Sequence, residues 1–108
     1  MKKFVIEKDK MAANSRRIQE KAGVPVIAVL KADGYGFGME QMAKVLRETG
    51  IRMFAVTEPG DATRLRELGY TEEDILVMRS TAMADEVYEV VQAGAIATVG
   101  SPEAAYCL

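Results

Sequence analysis

The feature that most constrains this chain is a regular alternation of strand-like and helix-like segments. Four apolar runs, at 26–30, 53–56, 75–78 and 96–99, are each followed by a stretch of helix formers. The runs end at about Lys31, Thr57, Arg79 and Gly100, spacings of 26, 22 and 21 residues. Strands that alternate with helices in this way imply a parallel sheet with helices packed over it. Helices are expected over 39–48, 59–68 and 84–93, with Gly50, Gly69 and Gly94 as their stops and Pro59 in the first turn of the second. Upstream, Phe4 to Glu7 reads as a short strand, and Lys10 to Ala22 as a helix capped by Asp9. Ser101, Pro102 and Glu103 open a further helix.

Two architectures share such a repeat. An open doubly wound sheet would feed its first strand into a Gly-x-Gly-x-x-Gly turn. Here the glycines after the first main strand are Gly34, Gly36 and Gly38, spaced two apart, and that fingerprint fails. The even unit and a lysine at the strand end suit a (β/α)8 barrel, which takes roughly 250 residues. The fold class expected is therefore α/β, a parallel βα repeat forming about half of a TIM-type (β/α)8 barrel, with residues 1–108 as the N-terminal portion of a barrel domain. Four strands cut from a closed barrel would leave two open edges and one inner face unopposed.

Composition removes several function classes. Fourteen Lys plus Arg against sixteen Asp plus Glu give a net charge of −2, which does not support a basic nucleic-acid footprint. There is no histidine, so His-based metal sites, Ser-His triads and the usual near-neutral acid/base are unavailable. Cys107 is the single cysteine, so no internal disulfide or cysteine metal cluster can form, and a cytoplasmic location fits. The longest strongly apolar run, Val24 to Leu30, falls far short of the roughly 20 residues a bilayer span needs, and the charged start lacks the apolar core of a signal peptide. Chemistry must come from Lys, Tyr, Cys, Arg, carboxylates or a cofactor.

The segment richest in information is Val29-Leu30-Lys31-Ala32-Asp33-Gly34-Tyr35-Gly36-Phe37-Gly38. Alternate strand residues face the same way, so Ile27, Val29 and Lys31 share one face, and an amine at the C-terminal end projects toward the mouth of a barrel. An apolar wall such as Val29 disfavours the ammonium and exposes the lone pair needed to attack an aldehyde. Taken on position alone, a solvated lysine at a strand end and a plain glycine turn account for the same residues.

The string Lys-Ala-Asp-Gly-Tyr-Gly-Phe-Gly resembles the pyridoxal-phosphate attachment motif of the alanine racemase family, Lys-Ala-(Asp/Asn)-Ala-Tyr-Gly-His-Gly, preceded by an apolar run that matches Ala28-Val29-Leu30. The resemblance continues through Phe4 to Asn14, through Phe54-Ala55-Val56 and Leu65 to Gly69, and through Ile75 to Met78. It implies that Lys31 forms the imine with pyridoxal 5′-phosphate and is the acid/base on one face of the substrate α-carbon. It also implies that Tyr35 hydrogen-bonds the cofactor phosphate and that Val29 and Met78 line the pocket beside the ring. The cofactor is the electron sink for an α-carbanion, and the protein supplies the amine and a grip on the phosphate.

By the same resemblance the intact protein is an amino-acid racemase interconverting L- and D-alanine, a homodimer whose partner molecule is a small amino acid. Phe37 stands where the family has histidine. The opposite-face base and the residue under the pyridine nitrogen have no counterpart here, and Tyr70, Tyr88 and Tyr106 match no such position. Two other readings of the segment are a noncatalytic pyridoxal-phosphate-binding protein and a structural half-barrel that pairs with its own copy. Elsewhere, the seven methionines read as adaptable core filler. Arg64, Arg66 and Glu67 read as a solvated helix face, and Glu72, Glu73 and Asp74 as a polar loop.

Overall fold

A computed structural model describes residues 2–30 and 38–100, with side chains in the first helix from Lys8 onward. The elements run α1 (Lys2–Ala22), β1 (Ile27–Val29), α2 (Met39–Glu48), β2 (Met53–Val56), α3 (Pro59–Glu67), β3 (Asp74–Val77), α4 (Ala84–Gln92) and β4 (Ile96–Ala97). The four strands form one sheet in the order β1-β2-β3-β4, every pair parallel. This is the expected βα repeat, with strand and helix limits within a residue or two of those read from the sequence.

The glycine stops act through one repeated device. After α2, the Gly50 N–H donates to the Arg47 carbonyl and the Ile51 N–H to the Leu46 carbonyl, both at 3.1 Å. The same pair recurs after α3, Gly69 to Arg66 and Tyr70 to Leu65, and after α4, Gly94 to Val91 and Ala95 to Val90. These are Schellman closures, which satisfy the last helix carbonyls and require the left-handed conformation at the glycine. Gly50 and Gly69 have φ of +103°. Each closure returns the chain directly to the next strand, which is why the unit is so even.

The core lies between the sheet and the helices. Leu30, Phe54, Val56, Ile75 and Val77 project from the sheet onto Met39, Met42, Ala43, Ala62, Leu65 and Val90. Phe54 meets Tyr70 edge to face, with ring centroids 5.8 Å apart. The opposite sheet face has no layer over it among the described residues. Val29, Ala55, Leu76 and Ile96 form one register row across it. Val29 and Ile96, on the two edge strands, are 49% and 45% exposed, whereas Ala55 is shielded by its neighbours.

Three expectations need correction. Phe4 to Glu7 is helical, not extended, and Asp9 lies inside α1 rather than capping it. A helix already nucleated over 10–22 gains a hydrogen bond for each residue added upstream, and it continues through these four. Glu73 is not in a solvated loop: it is 2% exposed and its Oε2 is 2.9 Å from Arg47 Nε. Arg66 is not on a solvated face either. Its Nε donates to the Ala93 carbonyl, Nη1 to the carbonyls of Tyr70 and Glu73, and Nη2 to that of Gly94.

Candidate functional site

Parallel strands bring their C-terminal ends to one rim. Leu30, Met78 and Arg79 continue the ladder past the regular strands: the Leu30 N–H donates to the Ala55 carbonyl and the Met78 N–H to the Val56 carbonyl, both at 2.8 Å, and the Arg79 N–H to the Thr57 carbonyl at 3.3 Å. Buried Leu30 anchors the end of β1 in the helix-facing core, which leaves its neighbour Val29 on the uncovered face. Met78, two residues past Leu76, is half-buried one layer nearer the rim than Val29. The two side chains singled out from sequence as ring-lining thus come from strands at the same end of one sheet. Lys31 and Tyr35, together with Phe37, lie outside the described residues.

Behind the rim is a charged brace that the sequence reading passed over. Arg79 has the same parity as buried Val77 and so lies on the helix side of the sheet. Its Nε donates to Glu58 Oε2 at 2.7 Å, and its guanidinium also holds the Glu86 carboxylate. Thr81 Oγ1 donates to Glu86 Oε1 at 2.6 Å and accepts from the Met83 N–H. Hydrogen bonds from Arg79 and then from Thr81 hold the Glu86 carboxyl below the ordinary carboxylate range, and the two carboxylates raise Arg79. Glu58 precedes Pro59 at the start of α3, and Glu86 is in the first turn of α4. One arginine therefore ties the end of β3 to the beginnings of two helices. The sequence signal was an arginine closing an apolar run, with a glutamate two residues past the end of the run before it.

The described tyrosines are placed away from this face. Tyr70 is buried beside Phe54 under the Arg47 guanidinium, 5.0 Å from its ring, and burial raises its hydroxyl above the usual tyrosine range. Tyr88 is exposed on α4, and Tyr106 lies outside the described residues. Among the described residues no group of three or more His, Cys, Asp or Glu side chains could hold a metal, and no helix is long and apolar enough to cross a membrane.

The sequence profile of the alanine racemase N-terminal domain matches residues 6–108. The chain belongs to the alanine racemase family. The alanine racemase of Fusobacterium nucleatum is 28% identical over 97 residues, 89% of this chain and 27% of that protein, and that of Aquifex aeolicus is 37% identical over 83 residues, 76% and 24%. Among solved structures, alanine racemase from Corynebacterium glutamicum superposes with a TM-score of 0.82 at 29% identity, covering 93% of this chain and 29% of that one. Alanine racemase from E. faecalis gives 0.81 at 27% identity, covering 92% and 27%. The fold is thus a partial βα barrel. The chain spans about a quarter of the length of these relatives.

Proposed function

We propose that this chain is the cofactor-holding N-terminal part of a pyridoxal 5′-phosphate-dependent racemase that interconverts L- and D-alanine in the cytoplasm. The observation that carries the reading is the string Lys31 to Gly38, which leaves the rim end of a strand whose family membership is established over residues 6–108. Its support in the fold is local. Val29 and Met78 give an apolar wall on the uncovered face at that end of the sheet, the kind of surface on which a planar ring can lie.

In this reading Lys31 would hold the cofactor through its amine and would move the proton on one face of the substrate α-carbon. Tyr35 donates to the phosphate, and Val29 and Met78 exclude water beside the ring. The cofactor, when bound, supplies the electron sink that makes the α-proton acidic. Racemisation requires a second acid/base on the opposite face. None of the described tyrosines can be that group from within this chain, since Tyr70 is buried behind the sheet and Tyr88 is on the outside of α4. Racemase activity is accordingly proposed for the longer protein and cofactor capture for this part.

The test is to mix the purified chain with pyridoxal phosphate, reduce with borohydride and map the modified residue by peptide mass spectrometry. Label on Lys31, lost in Lys31→Arg, is expected. Absence of label, or label spread over the surface lysines, would exclude the assignment.

A further inference from the structure

We propose that Arg79 is a positioning residue of the cofactor site, fixing the place of Met78 beside the cofactor ring by anchoring the end of β3 from behind. The inference rests on the reading above, in which Met78 is part of the wall beside that ring.

The main-chain ladder gives out just where Met78 needs support. The Met78 N–H donates to the Val56 carbonyl and the Arg79 N–H to the Thr57 carbonyl. The next residue of that neighbouring chain, Glu58, turns its N–H away to Asp61 Oδ2 at 3.3 Å as α3 begins. On the other side, β4 ends at Ala97. From here side chains carry the connection. Continuing the register Val56↔Val77 by two residues sets Glu58 opposite Arg79, and it is these side chains that join, Arg79 Nε to Glu58 Oε2 at 2.7 Å and Nη2 to the same oxygen at 2.6 Å. Continuing Val77↔Ala97 by three sets Gly100 opposite Ser80, and the Gly100 N–H donates to Ser80 Oγ at 2.9 Å. Thr98 Oγ1 donates to the Val77 carbonyl at 2.6 Å. The end of β3 is thus splinted from both neighbours, with Arg79 holding the β2 side.

Met78 cannot fix itself. Its side chain is half-buried, unbranched and adaptable, so its place follows that of its backbone. Arg79 sets that backbone from the helix side. Its Nη2 is shared between Glu58 Oε2 and Glu86 Oε2, and Thr81 Oγ1 holds the other oxygen of Glu86. The space bounded by Val77, Arg79, Val87 and Thr98 is about 10 Å³, room for about one water. The strand end is therefore held at a set depth between α4 and the uncovered face. A neutral side chain at 79 would leave two carboxylates repelling each other and release the strand end from both helices. Because Arg79 and Glu58 are partly exposed, at 38% and 50%, this loss costs the whole fold little and falls on the rim.

The experiment reads the fraction of Lys31 labelled by borohydride as the pyridoxal 5′-phosphate concentration is raised, in the wild type, Arg79→Gln, Met78→Ala and the double variant. Arg79→Gln is expected to raise the half-saturating concentration about threefold to tenfold, and Met78→Ala to raise it too. In the double variant the arginine change adds nothing, because it acts through Met78. If Arg79→Gln loses helix signal in circular dichroism, Glu86→Gln, which cuts one arm of the clamp and leaves the other, replaces it in the cycle and is read the same way. Unchanged half-saturation, or an equal effect with and without the Met78 side chain, would overturn the proposal while leaving Lys31 as the point of attachment. No label on Lys31 in the wild type would overturn both this inference and the reading it rests on.

Discussion

Arg79 Nε lies 2.7 Å from Glu58 Oε2, joining the end of β3 to the start of α3 through the side chains of two residues that each follow a strand. The same guanidinium holds Glu86 on α4. The brace is at the surface, where single ion pairs contribute little, but it spans three elements at the rim that the proposed site needs. Its strength depends on both carboxylates being ionised.

That dependence gives a pH prediction. Glu86 is held below its ordinary value in the folded chain, so its contribution is complete above the unfolded carboxylate value of about 4.3 and is lost as pH falls through the depressed folded one. Glu86→Gln should lower the urea midpoint at pH 7 and make little difference at the acid end. Urea titrations of both proteins between pH 7 and 3 check it. A constant difference across that range would show that Glu86 acts by packing and not by charge.

Gly69 isolates the backbone term of the helix closures. Its φ of +103° is unfavourable for an L side chain, and a Cβ there would meet nothing within 4 Å among the described residues. Gly69→Ala should therefore cost about 1–3 kcal/mol through conformation alone, with Gly69→Asn costing less. Equilibrium unfolding of the two variants measures this. Equal costs for Ala and Asn would point away from the backbone.

The repeat was legible because its signals are local. Gly50, Gly69 and Gly94 end helices within a few residues of the carbonyls they satisfy, and Phe54, Val56, Ile75 and Val77 announce their strands by composition. Phe4 to Glu7 was misread because Phe4, Val5 and Ile6 favour a strand on local propensity, which the helix extending upstream overrides. Arg66 and Glu73 were misread because their partners are remote. Arg66 reaches Ala93, 27 residues away, and Glu73 reaches Arg47 from the preceding helix layer. No spacing rule in one sequence announces such a bond. At the site, strand alternation put Val29 on one face with Ile27, and Met78 was named only through the family resemblance, whereas the brace around Arg79 joins three units and so could be seen only once they were folded together.

Arg66 is the clearest case of a polar residue used as a staple. It donates to four carbonyls, two at the end of α4 and two in the turn before β3, at 2.7–3.1 Å. An ammonium cannot span both pairs with one fork. Arg66→Lys should cost about 1–2 kcal/mol and Arg66→Ala about 2–4, from the loss of charge-assisted bonds to partly buried carbonyls. Hydrogen exchange provides a second readout, with the amides of Gly94 and Ala95 losing protection before those of β2. Uniform loss across the sheet would argue against a local staple.

The Arg47–Glu73 pair predicts an asymmetry. The Glu73 side chain is 1% exposed and its Oε1 has no hydrogen-bond partner among the described residues, while Arg47 is 43% exposed and also lies over the Tyr70 ring. Removing the glutamate charge leaves an arginine that water can solvate. Removing the arginine strands a buried carboxylate and also forfeits the ring contact, worth about 0.5–1 kcal/mol. Arg47→Ala should thus cost about 2–4 kcal/mol, and Glu73→Gln about 1 or less. In the double variant the coupling should make the total smaller than the sum of the two single losses, because the stranded charge is gone. Urea unfolding of the four proteins gives the cycle. A larger loss for Glu73→Gln than for Arg47→Ala would mean that the buried carboxylate is sustained by something other than its arginine.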